Sequence, residues 1–354
     1  MSRRLAVWIA LVIVFLACIV SAAVAGGGTA TSVSAPLERN GVKYTGTIVQ
    51  NGDSNKTIAV IPIRGTIVNG DSSADGSTTG GDDIVRMLDA VIEDKDRFAG
   101  VLLELNTGGG AVLASAEMEE AVRRVQKEAK LPVVAWMRDA AASGGYYVSA
   151  PADRIIAAPQ TFTGSIGVIL EYYEFSGLAD KYGVTPVVIK SGKLKDIGAP
   201  FKKISAEERA VLQSVIDEAF DDFVGVVAKG RGLSEAKVRE IADGRIYTGR
   251  QGKANGLVDE IGMRREAYAA MAKLVDAKDV QGEDLDVVEF GRSYSIFESL
   301  SAGAQPTLAS LSAAKAAGGI LRGEGLGAGD VARATGSRSM GNGLASVEYR
   351  AAIG

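Results

Sequence analysis

From Thr57 onward the chain alternates short β-branched apolar runs with amphipathic helical segments, which restricts it to layered α/β folds carrying much parallel sheet. Ile58-Ala59-Val60-Ile61-Pro62-Ile63 reads as a strand, and Pro62 predicts an edge position or a bulge there. Asp82 and Asp83 open a helix whose Ile84, Met87, Leu88 and Val91 share one face. The strand 100–105 runs into the glycine loop Thr107-Gly108-Gly109-Gly110, followed by a helix over 115–127 and a strand over 133–137. Ser143-Gly144-Gly145 then opens another helix, and strands are expected at 154–157 and 184–190. Ser205 and Glu208 have capping-box spacing at the head of a long helix reaching about residue 229, and Ser234 caps a shorter one.

The flanks differ in character. Arg3 and Arg4 precede an uncharged run from Leu5 to Ala25, long enough to cross a ~30 Å hydrocarbon core. Charge ahead of it and none close behind predicts a cytoplasmic N-terminus and an extracytoplasmic catalytic domain, a single-pass cell-membrane protein. Ala23-Val24-Ala25 has the form of a signal-peptidase site, the competing reading, but the run exceeds a usual signal-peptide core, favouring a retained anchor. The expected organisation is an anchor at 1–25, an extracytoplasmic spacer at 26–55, a folded domain at 56–290 and an Ala/Gly/Ser-rich tail at 291–354. A net charge of −4 gives no basic field for nucleic acid. The single cysteine, Cys18, lies in the apolar run, so a thiol nucleophile in the soluble part is excluded.

The 354 residues contain no histidine, which rules out a Ser-His-Asp triad, Cys-His catalysis and histidine-ligated zinc. Ser143 nevertheless follows a strand and precedes a helix, with Gly144 and Gly145 letting the backbone turn sharply beside it. Taken locally, two readings are open: a nucleophile, or an ordinary N-cap. The Gly108-Gly109-Gly110 loop could supply oxyanion-binding amides, make a tight turn or cradle phosphate; no Lys-Ser/Thr follows, which disfavours a P-loop. A serine without histidine needs another base, and the loop carrying Lys190, Lys193 and Lys195 offers one. A lysine base must be neutral; free lysine titrates near ~10.4, and burial lowers that by up to ~3–5 units. Asp196 would oppose this unless its carboxylate points to the opposite face.

Four stretches occur in one order: Ala142-Ser143-Gly144-Gly145-Tyr146-Tyr147, Thr163-Gly164-Ser165-Ile166-Gly167-Val168, Lys190-Ser191-Gly192-Lys193-Leu194-Lys195-Asp196-Ile197 and Gly244-Arg245-Ile246-Tyr247-Thr248-Gly249-Arg250. They closely resemble the short form of signal peptide peptidase A, in the membrane-anchored serine peptidase family S49. Asn255-Gly256-Leu257-Val258-Asp259-Glu260-Ile261 extends the match, which runs from about Thr57 to Met271. The resemblance implies a Clp protease/crotonase-like layered fold of repeated β-β-α units. It makes Ser143 the nucleophile and Lys195, directly before Asp-Ile, the general base. It places the oxyanion hole at Gly110 and Gly144 and a lysine-orienting hydroxyl at Ser165. Gly108 departs from the family's Asn-Ser-Pro-Gly-Gly, and a freer backbone there is expected to loosen the oxyanion hole.

The implied chemistry is acyl transfer without metal or cofactor. Lys195 takes the Ser143 proton, Ser143 attacks a peptide carbonyl, and water hydrolyses the acyl-enzyme. The resemblance implies remnant signal peptides and other membrane-associated peptides as substrates. It also implies a ring-like homo-oligomer in which Ser143 and Lys195 come from neighbouring subunits. The tail around Leu308–Lys315 resembles such substrates and is expected to occupy the groove and restrain activity. Two alternatives stand beside this: a crotonase-like acyl-CoA enzyme, and a catalytically silent membrane scaffold.

Overall fold

The computed structural model describes residues 33–275, 280–294 and 348–350. The expected anchor Leu5–Ala25 and the tail segment Leu308–Lys315 lie outside the described residues. Among the described residues no helix is long and apolar enough to cross a membrane.

The strands are β1 (Val33–Arg39), β2 (Val42–Gln50), β3 (Thr57–Val68), β4 (Thr78–Gly80), β5 (Gly100–Ala111), β6 (Val133–Ala142), β7 (Arg154–Ala157), β8 (Phe162–Gly164), β9 (Ile246–Thr248), β10 (Glu260–Ile261), β11 (Asp286–Arg292) and β12 (Glu348–Arg350). The α-helices are α1 (Gly81–Glu93), α2 (Val112–Arg124), α3 (Gly144–Ser149), α4 (Ser176–Lys181), α5 (Ala206–Arg231), α6 (Glu235–Ile241), α7 (Gly249–Ala254) and α8 (Arg264–Leu274). The main sheet has the order β1-β2-β11-β3-β5-β6-β7-β10. From β11 to β10 every pairing is parallel, and β1 and β2 add an antiparallel hairpin.

Alternation along the central strands explains the layering. Ala59, Ile61, Val101, Leu103, Val133 and Ala135 face a core closed by α1, α2 and α3. Ile58, Val60, Leu102, Val134 and Trp136 point the other way and pack on α8 through Ala267, Tyr268 and Met271. A parallel sheet covered on both faces is what near-continuous apolar strands require. The layered α/β architecture expected from the sequence is therefore present.

Three expectations are corrected. Residues 26–55, read as a spacer, supply β1 and β2, so the sheet begins at Val33 rather than near residue 56. The missed signal is Asn40-Gly41, both at positive φ (52° and 76°), the two-residue turn that suits a hairpin. Residues 184–190 form no strand and are exposed throughout. Pro62 lies in an interior strand, but β11 pairs with β3 only from Thr57 to Val60, so one flank is open at Pro62. The bulge falls two residues later, between Arg64 and Thr66.

Candidate active site

The carboxyl ends of β5 and β6 bring the glycine segment and Ser143 together. β6 ends at Ala142, α3 starts at Gly144, and Ser143 makes the corner with φ 54° and ψ −121°. That is the first central position of a type II′ turn, a place normally taken by glycine, and a side chain held there costs about 1–3 kcal/mol. The surroundings enforce it. The Ser143 amide donates to the Gly164 carbonyl at 2.8 Å, and the Ser143 carbonyl accepts from Tyr147 N at 2.9 Å. Asn106 steadies the approach, accepting from Ala140 N and donating to Asp139, both at 3.2 Å. Ser143 is fully buried, and its Oγ has no hydrogen-bond partner among the described residues. An unmade hydrogen bond on a buried hydroxyl costs about 1–3 kcal/mol. Strain and an orphaned hydroxyl thus fall on one residue, and the Ser143 side chain makes no cap hydrogen bond.

The glycine segment is a strand extension, not a tight turn. Gly109 (φ 100°) and Gly110 (φ 158°) continue β5 and pair with Thr66 and Ile67 of β3. A Cβ on Gly110 would lie 1.9 Å from the Ile67 carbonyl oxygen, so only glycine fits. A Cβ on Gly144 would lie 3.2 Å from the Gly110 amide nitrogen, so these two residues are in direct apposition. The same Cβ would meet Ser115 Oγ at 2.5 Å. Ser115 is buried and donates to the Ala111 carbonyl at 2.9 Å, fixing the end of β5 against α2. Thr107, also buried, accepts from the Gly109 amide at 3.0 Å and packs where a Gly145 side chain would stand. The slack expected from Gly108 is thereby offset, because neighbours on both sides hold this backbone. Thr107 and Ser115 went unnoticed in the sequence, where small hydroxyls near glycines carry no distinctive signal.

The other shared motifs support this corner. Ser165 is buried at φ 49°, and its amide donates to the Arg245 carbonyl at 2.8 Å. Tyr146 donates to the Leu257 carbonyl at 2.8 Å, and Asp259 accepts from Ile155 N at 2.7 Å while pairing with Arg231. Burial pushes the Tyr146 phenol far above its ordinary range, so it stays a neutral donor.

Lys195 is elsewhere. It is exposed, in a run of turns after Gly192, and no hydrogen bond joins it to Ser143 Oγ within one chain. Its neighbours are occupied. Lys193 is ion-paired with Glu207. Asp196 accepts from both Lys190 and Lys202 at 2.7 Å, and these hydrogen bonds hold its carboxyl down at about 2. Among the described residues Lys195 makes no ion pair. Ser143, Gly144, Gly110 and Ser165 are thus assembled in one chain, whereas Lys195 is not. No group of His, Cys, Asp and Glu among the described residues could hold a metal ion.

A serine at a strained strand-to-helix corner, flanked by glycine amides at the end of a parallel sheet, is peptidase-like architecture, and the comparisons agree. The profile of Peptidase family S49 matches residues 125–278. An Enterococcus faecium protein named as a signal peptide peptidase SppA is 40% identical over 251 residues, 70% of this chain and 72% of that protein. Protease 4 of Haemophilus influenzae is 36% identical over 233 residues, 66% of this chain but 36% of that protein. Among solved structures, a mutant of the 1510-N membrane-bound stomatin-specific protease is 16% identical with a TM-score of 0.42, over 70% of this chain and 100% of that one. The chain belongs to peptidase family S49.

Proposed function

We propose that this peptidase is a membrane-anchored serine endopeptidase that degrades remnant signal peptides and other membrane-associated peptides through a Ser143–Lys195 dyad. The observation that carries the reading is the strained, buried Ser143 with its unpartnered Oγ beside the apposed Gly110 and Gly144. Lys195 Nζ takes the Ser143 proton, and Ser143 Oγ attacks the scissile carbonyl carbon. The Gly110 and Gly144 amides receive the oxyanion. The ammonium returns its proton to the leaving amine, and water completes hydrolysis of the ester. Ser165 orients the lysine amine.

Peptide binds as an added strand. The chain's own β12 supports this, running antiparallel to β5 with Tyr349 opposite Gly110 and Arg350 opposite Gly109. A strand seated there covers the oxyanion corner, so the C-terminal tail restrains activity in the same way.

Lys195 reaches Ser143 from a neighbouring copy in a ring-like homo-oligomer. What supports this is the segment that carries it. Residues 180–193 are exposed throughout, including Val187 at 86% and Ile189 at 97%, an apolar run that calls for cover from another chain.

Mixing tests both halves of the proposal. Ser143→Ala and Lys195→Ala are each expected to be inactive on a synthetic signal peptide. Refolded together, they would recover about a quarter of wild-type activity, because a closed ring pairs intact Ser143 with intact Lys195 at a fraction of its interfaces. Inactive singles with no recovery on mixing would place the dyad within one chain. Full activity in Lys195→Ala would move the base to Lys193.

A further inference from the structure

Asp196 follows the proposed base directly, and its carboxylate joins separate parts of the chain. Its Oδ1 accepts from Lys190 Nζ and from Lys202 Nζ, both at 2.7 Å, so it cross-ties the two limbs of the loop that carries Lys195. Backbone turns close the same span. The amides of Lys195, Ile197 and Ala199 donate to the carbonyls of Gly192, Leu194 and Asp196 at 3.2, 3.1 and 3.1 Å. Lys202 also pairs with Glu208, which is buried and accepts from Ser205 N at 2.9 Å in the capping box of α5. The loop is therefore tied to the first turn of α5.

The far half of α5 is anchored behind Ser143. Phe223, Val224 and Val227 are fully buried there. The Phe223 ring sits 5.0 Å from that of Tyr147 on α3, the residue whose amide donates to the Ser143 carbonyl. From Glu208 to Phe223 the helix advances about 22 Å at 1.5 Å per residue. This helix of 26 residues is thus a strut, packed on α3 in its second half and holding the Lys195 loop at its head. The same pairs leave one amine over. Within residues 190–202, Lys190, Lys193 and Lys202 are matched by Asp196, Glu207 and Glu208, and Lys195 alone makes no ion pair among the described residues. A carboxylate beside a base would stabilise its ammonium form, but this one is already engaged by two other cations.

We propose that Asp196 and Glu208 are positioning residues: through Lys190 and Lys202 they brace the Lys195 loop on α5, which presents the amine to Ser143 of a neighbouring copy. The inference rests on Lys195 as a base delivered by assembly, and extends that reading to the residues that aim it.

Asp196→Asn is expected to lower kcat about tenfold to hundredfold, with KM within about twofold and the oligomer mass unchanged. Asp196→Glu should restore most of the loss, and Lys190→Met/Lys202→Met should reproduce it. Mixing separates aiming from a general weakening of the fold. Refolded with Ser143→Ala, whose lysine loop is intact, Asp196→Asn should regain activity toward the level of the mixed Ser143→Ala and Lys195→Ala pair. Refolded with Lys195→Ala, it should show no more than its own share. Unchanged kcat in Asp196→Asn would overturn the inference. So would a loss that Ser143→Ala does not repair on mixing while the Ser143→Ala and Lys195→Ala pair does recover. If that reference pair fails to recover but Asp196→Asn alone loses kcat and Asp196→Glu restores it, the brace stands and delivery from a neighbouring copy falls.

Discussion

The corner around Ser143 and the segment carrying Lys195 are built by opposite rules. At the corner the backbone is held by named neighbours: Gly164 and Tyr147 hold Ser143, Ile67 excludes any side chain at Gly110, and Thr107 ties Gly109. Between residues 180 and 193 nothing is buried. One region is finished by the fold of a single chain. The other is a surface that waits for something outside it. Strain of the kind seen at Ser143 persists only where the surroundings over-determine it, so its geometry can be set within a single chain, whereas the proposed dyad needs the Lys195 segment brought in by assembly.

The largest effect that would sharpen this contrast is loss of the Ser143 hydroxyl, the proposed nucleophile. Ser143→Ala should lower kcat by about 10⁴-fold or more with thermal stability unchanged or slightly raised, since an unpartnered buried hydroxyl is removed. Residual activity near wild type in a peptide assay would end the serine assignment. Val187→Asp/Ile189→Asp, on the exposed segment, should abolish activity almost as fully by breaking assembly. Its monomer should melt within about 2 °C of wild type, because surface substitutions rarely exceed ±0.5 kcal/mol. A large fall in the monomer's melting temperature would show that this segment belongs to the folded core after all.

Gly110→Ala should cost about 10²–10³ in kcat, because the Ile67 carbonyl forces the oxyanion strand to move. Unchanged kcat would remove Gly110 from the oxyanion hole. Stability against acid tests the packed half on its own. Glu104 is buried and accepts from Arg64 at 2.8 Å and Arg138 at 3.0 Å. Burial alone would raise its carboxyl, but these guanidiniums outweigh it and hold it below the usual range. A depressed folded value gives stability that is present above the unfolded carboxyl range, near ~4.3, and is lost as pH falls through the folded value. Wild type should therefore lose stability below about pH 4, and Glu104→Ala should be about 1–3 kcal/mol less stable at pH 7, with a flatter acid limb, the freed guanidiniums being partly solvated. The smallest effect is Thr107→Val, which strands the Gly109 amide for about 1 kcal/mol and a few-fold loss in kcat. Urea titration and steady-state kinetics would read both.

Much of the packed half was legible in the sequence because its signals are local. Ile84, Met87, Leu88 and Val91 announced α1 and are all buried there, and Ser205 with Glu208 forms the capping box at the head of α5. Ser143 stands out in the sequence as a serine before two glycines, where an N-cap is also open; its positive φ and orphaned Oγ are visible only in the structure. The β1–β2 hairpin was missed because polar, glycine-rich sequence hid a two-residue turn. Residues 184–190 misled in the opposite direction: β-branched sequence reports a preference for strand, but among the described residues no strand pairs with them.

By itself the sequence determined the layered α/β class, the exclusion of histidine chemistry and the family, since periodicity, composition and motif order are properties of the chain. Only the tertiary structure decided that Gly110 meets Gly144, that Thr107 and Ser115 brace them, and that Lys195 remains on the surface. Those are contacts between residues distant in sequence, and their geometry is fixed by how the strands of the sheet are registered against one another.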